Sequence, residues 1–143
     1  MIKVETSDIE ILKTLNAGDI VSISGTIYTA RDAAHKKIFA LMKDNEPLPF
    51  PLRNSFVYYT GATPAKDGEP YGSCGPTTSK RMDVYTPDML DAGLKGIIGK
   101  GARTRAVVDA IKRNGAVYFV AIGGAGAFYK SAIKSAEVIA FPE

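Results

Sequence analysis

Apolar residues recur along this chain at two alternating spacings. Ile20, Val21, Ile23, Ile27 and Tyr28 sit among small polar residues, a β-rich run broken at Gly25 and ending at Thr29 or Ala30. From Arg31 to Lys43, Ala34, Ile38, Leu41 and Met42 fall at helical spacing with no internal Gly or Pro, so strand, tight turn and helix are predicted in succession. Upstream, Asp8 is placed to cap a short helix through Lys13 that stops at Asn16-Ala-Gly18. Pro47, Pro49 and Pro51 break the chain into an extended connector before Phe56-Val-Tyr-Tyr59, a short aromatic strand. The second half repeats the alternation. A helix opens at Thr86-Pro-Asp and ends near Gly93, Gly96-Ile-Ile-Gly99 is a buried strand, and a helix from Arg103 to Arg113 turns Val107, Val108 and Ile111 inward. A β run from Ala116 to Ile122 leads into Gly123-Gly-Ala-Gly126, a helix around Phe128 to Ile133 and a strand around Val138 to Phe141. This order predicts an α/β fold with some parallel pairing.

Composition fits one domain over residues 1–143. With 45% hydrophobic residues, a chain of this size buries roughly 68% of its unfolded surface, so no metal or disulfide staple is required. The 18 Lys+Arg and 15 Asp+Glu leave a net charge of only +3, spread along the chain, which argues against a nucleic-acid partner. No apolar run approaches the roughly 18 residues of a membrane span. The start, Met1-Ile-Lys-Val-Glu5, lacks the basic residues and apolar stretch of a signal peptide, so the chain reads as cytoplasmic. The single cysteine, Cys74, excludes an internal disulfide and cannot by itself hold an iron–sulfur cluster or a structural zinc. Any such metal must come with a partner.

Residues 61 to 81 differ in kind, punctuated by Gly and Pro and rich in hydroxyls, a composition that favours function in so long an irregular stretch. Within them, Gly72-Ser-Cys-Gly-Pro-Thr-Thr-Ser-Lys-Arg81 combines glycines that let a ligand approach the backbone with the hydroxyls of Thr77, Thr78 and Ser79 and the cations Lys80 and Arg81. It can receive an anion, and it equally fits a turn before a Thr-capped helix with solvated Lys80 and Arg81. It is not a phosphate-binding P-loop, because GxxxxGK[ST] is absent. Arg31 and His35 lie four apart at a strand-to-helix junction, where a carboxylate would suit Arg31 while His35 is either a titratable site residue or a packed helix histidine. Lys100, between glycines after a buried strand, can reach a cleft at that strand's carboxyl end or stand exposed in its loop. Gly123-Gly-Ala-Gly126 lacks the dinucleotide-binding order, and Cys74 has no Cys-His-Asn arrangement around it, so it reads as a small spacer.

Five segments in this order resemble a known family: Thr29-Ala-Arg-Asp-Ala-Ala-His35, Tyr58-Tyr-Thr-Gly-Ala62, Gly75-Pro-Thr-Thr-Ser-Lys-Arg-Met-Asp83, Ile98-Gly-Lys-Gly101 and Ala121-Ile-Gly-Gly-Ala-Gly-Ala127. They are similar to the carboxy-terminal domain, or separate beta subunit, of class I fumarate hydratase and the related L-tartrate dehydratase. The resemblance covers nearly the whole chain. It implies a β/β/α swivelling domain with a mixed sheet that closes over a [4Fe–4S] cluster held by three cysteines of a partner alpha subunit, with one iron open to substrate. It further implies a hetero-oligomer acting on a small dicarboxylate. Arg31, Arg81 and Lys100 would hold the carboxylates, Thr77 and Thr78 would sit at the reacting carbons, and Thr77 would be the base with Lys100 and Arg81 stabilising its alkoxide. The acid would come from the alpha part. Two departures stand out: Cys74 occupies a place where an apolar residue such as Phe is expected, and such proteins continue past the last strand, so a carboxy-terminal segment beyond Glu143 is expected.

Overall fold

The structure, a computed structural model, describes residues 2–30, 32–60 and 79–121. Strand β1 (Ile2–Glu5) pairs with β2 (Val21–Ser24), and a separate sheet carries β3 (Tyr28–Thr29), β4 (Phe56–Tyr58), β5 (Gly96–Gly99) and β6 (Val117–Val120) in the order β3-β4-β5-β6. Every ladder among the described residues is parallel. Helices α1 (Asp32–Lys43), α2 (Thr86–Asp91) and α3 (Arg105–Asn114) lie in the three crossovers of the larger sheet. Parallel crossovers are right-handed almost without exception, so successive steps in one direction put all three helices on one face.

Strand alternation assigns each side chain to a layer. Val57, Tyr59 and Ile97 join Ile38 of α1, Met89 and Leu90 of α2 and Ala110 of α3 in one core. Phe56 and Phe119 belong to a second core with Val4 of β1 and Leu12, against which Val21, Ile23 and Ile98 pack. The layers therefore run small sheet, large sheet, helices, the β/β/α order that the resemblance implies. Gly96 makes room for this: a Cβ there would stand 2.4 Å from the Phe56 ring, which stacks on Phe119 with centroids 6.0 Å apart. The α/β class is the one expected, and the antiparallel pairing of a mixed sheet is not found among the described residues.

Three local features differ from the sequence-based expectation. β1 carries one buried residue, Val4, too short a signal for periodicity to reveal. Asp8 precedes a 3-10 helix (Ile9–Thr14) without making a side-chain cap bond. Helix α3 begins at Arg105, because Thr104 takes an extended N-cap conformation (φ −69°, ψ 163°) that leaves Arg103 in the β5–α3 loop. The break at Gly25 is as expected: its φ is +117°, and the Thr6 hydroxyl packs where a Cβ would stand. The helix expected around Phe128 to Ile133 and the strand around Val138 to Phe141 lie outside the described residues. Among those residues, no helix is long and apolar enough to cross a membrane.

Candidate active site

In an open parallel sheet, ligands bind in the crevice outside the carboxyl ends of the strands. Backbone hydrogen bonds carry this sheet past its formal strand ends: Ala30 N–H to Tyr58 O (3.1 Å), Tyr59 N–H to Ile98 O (2.8 Å) and Ala121 N–H to Gly99 O (2.8 Å). Ala30, Thr60, Lys100 and Ala121, the described residues that follow β3, β4, β5 and β6, consequently lie at the same edge of the sheet. Lys100 sits there half-buried, directly after β5, and Arg81 is exposed in a 3-10 helix (Ser79–Met82). Arg31, Thr77, Thr78 and Cys74 lie outside the described residues, as do Gly123 to Gly126. A shallow hollow of about 260 Å³ lined by Thr6, Thr26, Asn54 and Ser55 opens at the opposite, amino-terminal edge of β3 and β4 and contains none of these groups.

Two of the predicted segments meet through Ser79. Its N–H donates to the Lys100 carbonyl at 2.9 Å, which ties the residue following Thr78 to the backbone of Lys100. Its buried hydroxyl lies 2.7 Å from the Tyr118 oxygen. Tyr118 spends its one proton on the Gly101 carbonyl at 2.8 Å, so Ser79 is the donor in that pair. Gly99 is required beneath this contact, since a Cβ there would stand 2.2 Å from Ser79 Oγ.

A second set of residues joins the same segments. Arg103 Nε donates to Asp83 Oδ1 at 2.7 Å, and the Thr104 N–H donates to Asp83 Oδ2 at 2.7 Å. Arg103 Nη2 donates to Tyr59 OH at 3.1 Å and to Thr86 Oγ1 at 2.9 Å. Thr86 gives its proton to Met82 O at 2.8 Å, so Tyr59 must donate in the 3.1 Å contact between the two hydroxyls. The guanidinium carbon lies 5.2 Å from the Tyr59 ring centre and 4.9 Å from that of Tyr118. Those rings belong to the strand positions flanking β5, about 10 Å apart across two strand spacings, so the cation bridges over the end of β5. Burial pushes both phenols above their usual range, with Arg103 opposing the shift, and each stays protonated at neutral pH as a hydrogen-bonding group.

Sequence reasoning did not single out Arg103, Tyr59 or Thr86. Reading Thr104 as an N-cap would have returned Arg103 to the loop that carries Lys100. His35 belongs to the core: it is fully buried, with its ring edge-on to Tyr59 at 5.1 Å and tilted to Tyr85 at 6.3 Å. Tyr85 also meets Phe39, at 5.4 Å. No group of three or more His, Cys, Asp or Glu suited to a metal occurs among the described residues.

Known proteins carry the same chain pattern. A family profile described as "Fumarase C-terminus" matches residues 1–143. Fumarate hydratase 2 of Leishmania major is 41% identical over 128 residues, covering 88% of this chain and 22% of the relative. The aerobic class I fumarate hydratase of Escherichia coli is 40% identical over 126 residues, covering 86% of this chain and 23% of the relative. A Methanocaldococcus jannaschii protein provisionally named as an L(+)-tartrate dehydratase beta subunit is 37% identical over 133 residues, covering 91% of this chain and 68% of the relative. The chain thus spans under a quarter of these two fumarate hydratases and about two thirds of the named beta subunit.

Proposed function

The chain belongs to the Fumarase C-terminus family, and from that premise we propose that it is the beta subunit of an iron–sulfur hydro-lyase that reversibly hydrates fumarate to (S)-malate. It acts only with an alpha subunit, as a cytoplasmic hetero-oligomer. The observation that carries this reading is the hydrogen bond from Ser79 N–H to the Lys100 carbonyl, because it joins the backbone just before Arg81 to the lysine loop at the carboxyl edge of the sheet. Arg31, Arg81 and Lys100 clamp the two carboxylates, and Thr77 and Thr78 face the reacting carbons. In the dehydration direction the Thr77 oxygen takes the carbon-bound proton, and in hydration it returns it. A threonine hydroxyl serves only where neighbouring cations stabilise its anion, which is the second role of Lys100 and Arg81.

One cysteine in the whole sequence does not fit a [4Fe–4S] cluster. We assign the cluster to three cysteines of the alpha subunit, and the steps above use this chain's own residues only. A second reading, the beta subunit of an L-tartrate dehydratase, is favoured by the separate-subunit relative of which this chain covers 68%. Anaerobic co-purification with the alpha-type partner, followed by assay on fumarate and on L-tartrate, tests both. Malate should form with the complex, while the isolated chain should stay colourless and inactive after incubation with iron and sulfide. Malate from the isolated chain would overturn the division of labour. A complex inert on both acids would leave a non-catalytic anion-binding domain.

A further inference from the structure

Asp83 stands two residues after Arg81, and Arg103 three residues after Lys100. Their side chains are 6% and 2% exposed. Asp83 spends both carboxylate oxygens on the loop following β5, one on Arg103 Nε and one on the Thr104 N–H. Arg103 returns two bonds, to Tyr59 at the end of β4 and to Thr86, whose own proton goes to Met82 beside Arg81. As packing alone this arrangement is poor. Desolvating two charges consumes most of their attraction, and apolar residues of similar volume commonly do as well. Arg103 Nη1 is also buried with no hydrogen-bond partner among the described residues. What a rigid guanidinium fork supplies, and apolar packing does not, is a fixed distance and angle between the two segments it joins.

We propose that the buried Asp83–Arg103 pair is a latch that holds the Arg81-bearing segment against the Lys100-bearing loop, making Asp83 and Arg103 positioning residues of the dicarboxylate site. This rests on the hydro-lyase reading for its substrate. Misplacing a bound reactant by about 1 Å can cost on the order of 100-fold in rate, so loosening the latch acts on turnover without removing a substrate contact.

The test uses the protein in complex with its alpha-type partner. Arg103→Lys keeps Asp83 paired with a cation but loses the fork to Tyr59 and Thr86. It should lower kcat/KM by about 10- to 100-fold, chiefly in kcat, with the thermal midpoint within about 5 °C of the parent. In an Arg81→Ala background the same change should cost less than about threefold, because the group being positioned is gone. Amide exchange at Ser79, whose N–H is held by Lys100 O, should quicken at least about tenfold while amides of β6 keep their protection. Should Arg103→Lys prove too unstable to assay, Tyr59→Phe, which deletes one acceptor of the fork, is read the same way. Parental kcat/KM in the variant, a full penalty retained in the Arg81→Ala background, or unchanged exchange at Ser79 would overturn the latch. If the parent complex turns over no dicarboxylate, the hydro-lyase reading is what fails, and exchange at Ser79 alone decides whether the latch exists.

Discussion

Gly99→Ala should destabilise the protein through one named neighbour, Ser79. The new Cβ would stand 2.2 Å from Ser79 Oγ and 2.9 Å from Tyr59 Cδ2, both closer than real Cβ contacts allow. The Ser79 hydroxyl can rotate away, but only by giving up its 2.7 Å bond to Tyr118, worth about 1 kcal/mol net. The Tyr59 ring is completely buried and can yield only by pushing on the core, an overpacking cost of about 1–3 kcal/mol. Together these give about 2–4 kcal/mol, or a midpoint lower by roughly 6–15 °C for a chain of this length. Urea unfolding should show a lower midpoint at unchanged slope. The cycle with Ser79→Ala isolates the cause: without Oγ the nearest Ser79 atom is its Cβ at 3.5 Å, an ordinary contact. Gly99→Ala should therefore cost at least about 1 kcal/mol less in the Ser79→Ala background than in the parent. Strict additivity of the two changes, or a Gly99→Ala protein within about 0.5 kcal/mol of the parent, would refute the steric argument.

Other perturbations address the proposed clamp, the proposed base and the buried charges. Arg81→Ala should lower kcat/KM of the reconstituted complex by roughly 30- to 1,000-fold with little effect on folding, and Arg81→Lys should recover only part of it, since an ammonium lacks the planar fork. Thr77→Val should lower turnover by about 10²–10⁴-fold while Thr77→Ser stays within about tenfold; a Val variant within about threefold of the parent would remove Thr77 from the base role. Asp83→Ala strands the Arg103 cation in the interior and should cost about 3–5 kcal/mol, read from the unfolding midpoint. Alkali should unfold the protein through Tyr59: burial raises its pKa above the unfolded value of about 10, so its stabilising contribution is complete below that pH and is lost as pH rises through the folded value. A midpoint that does not fall between about pH 9 and 11 in the parent, or falls equally in Tyr59→Phe, would assign the effect elsewhere.

Elements with an internal rhythm could be read directly from the sequence. α1 begins one residue from its predicted start because several apolar positions repeat at helical spacing, and β5 lies at Gly96–Gly99 as expected because a short apolar pair is bounded by glycines. β1 could not be read that way, since its place depends on a partner strand and on Val4 alone. Near the proposed site, the motifs pointed to the ends of β3, β4, β5 and β6, and the parallel order of the sheet puts those strand ends at one edge. Arg103 escaped because a cation near a helix start normally belongs to the solvated first turn. Its burial depends on Asp83, 20 residues away, and on Tyr59, 44 residues away, and no local pattern encodes such pairings.

Because β3, β4, β5 and β6 lie side by side in the order in which they leave the ribosome, each new unit can dock on an edge already formed. β4 is the vulnerable edge. Once Phe56–Tyr58 has paired with β3, its other side stays open until β5 is made, and the counterion of Asp83 is still 20 residues from emerging. At about 5–20 residues per second, the stretch from Tyr58 to Gly96 leaves the aromatic strand edge exposed for roughly 2–8 s, and the stretch from Asp83 to Arg103 leaves a carboxylate destined for burial hydrated for roughly 1–4 s. Slowing translation between residues 83 and 103 prolongs the exposure, so codon choice in that window bears on how much of the chain completes its own sheet rather than pairing with another unfinished copy of itself.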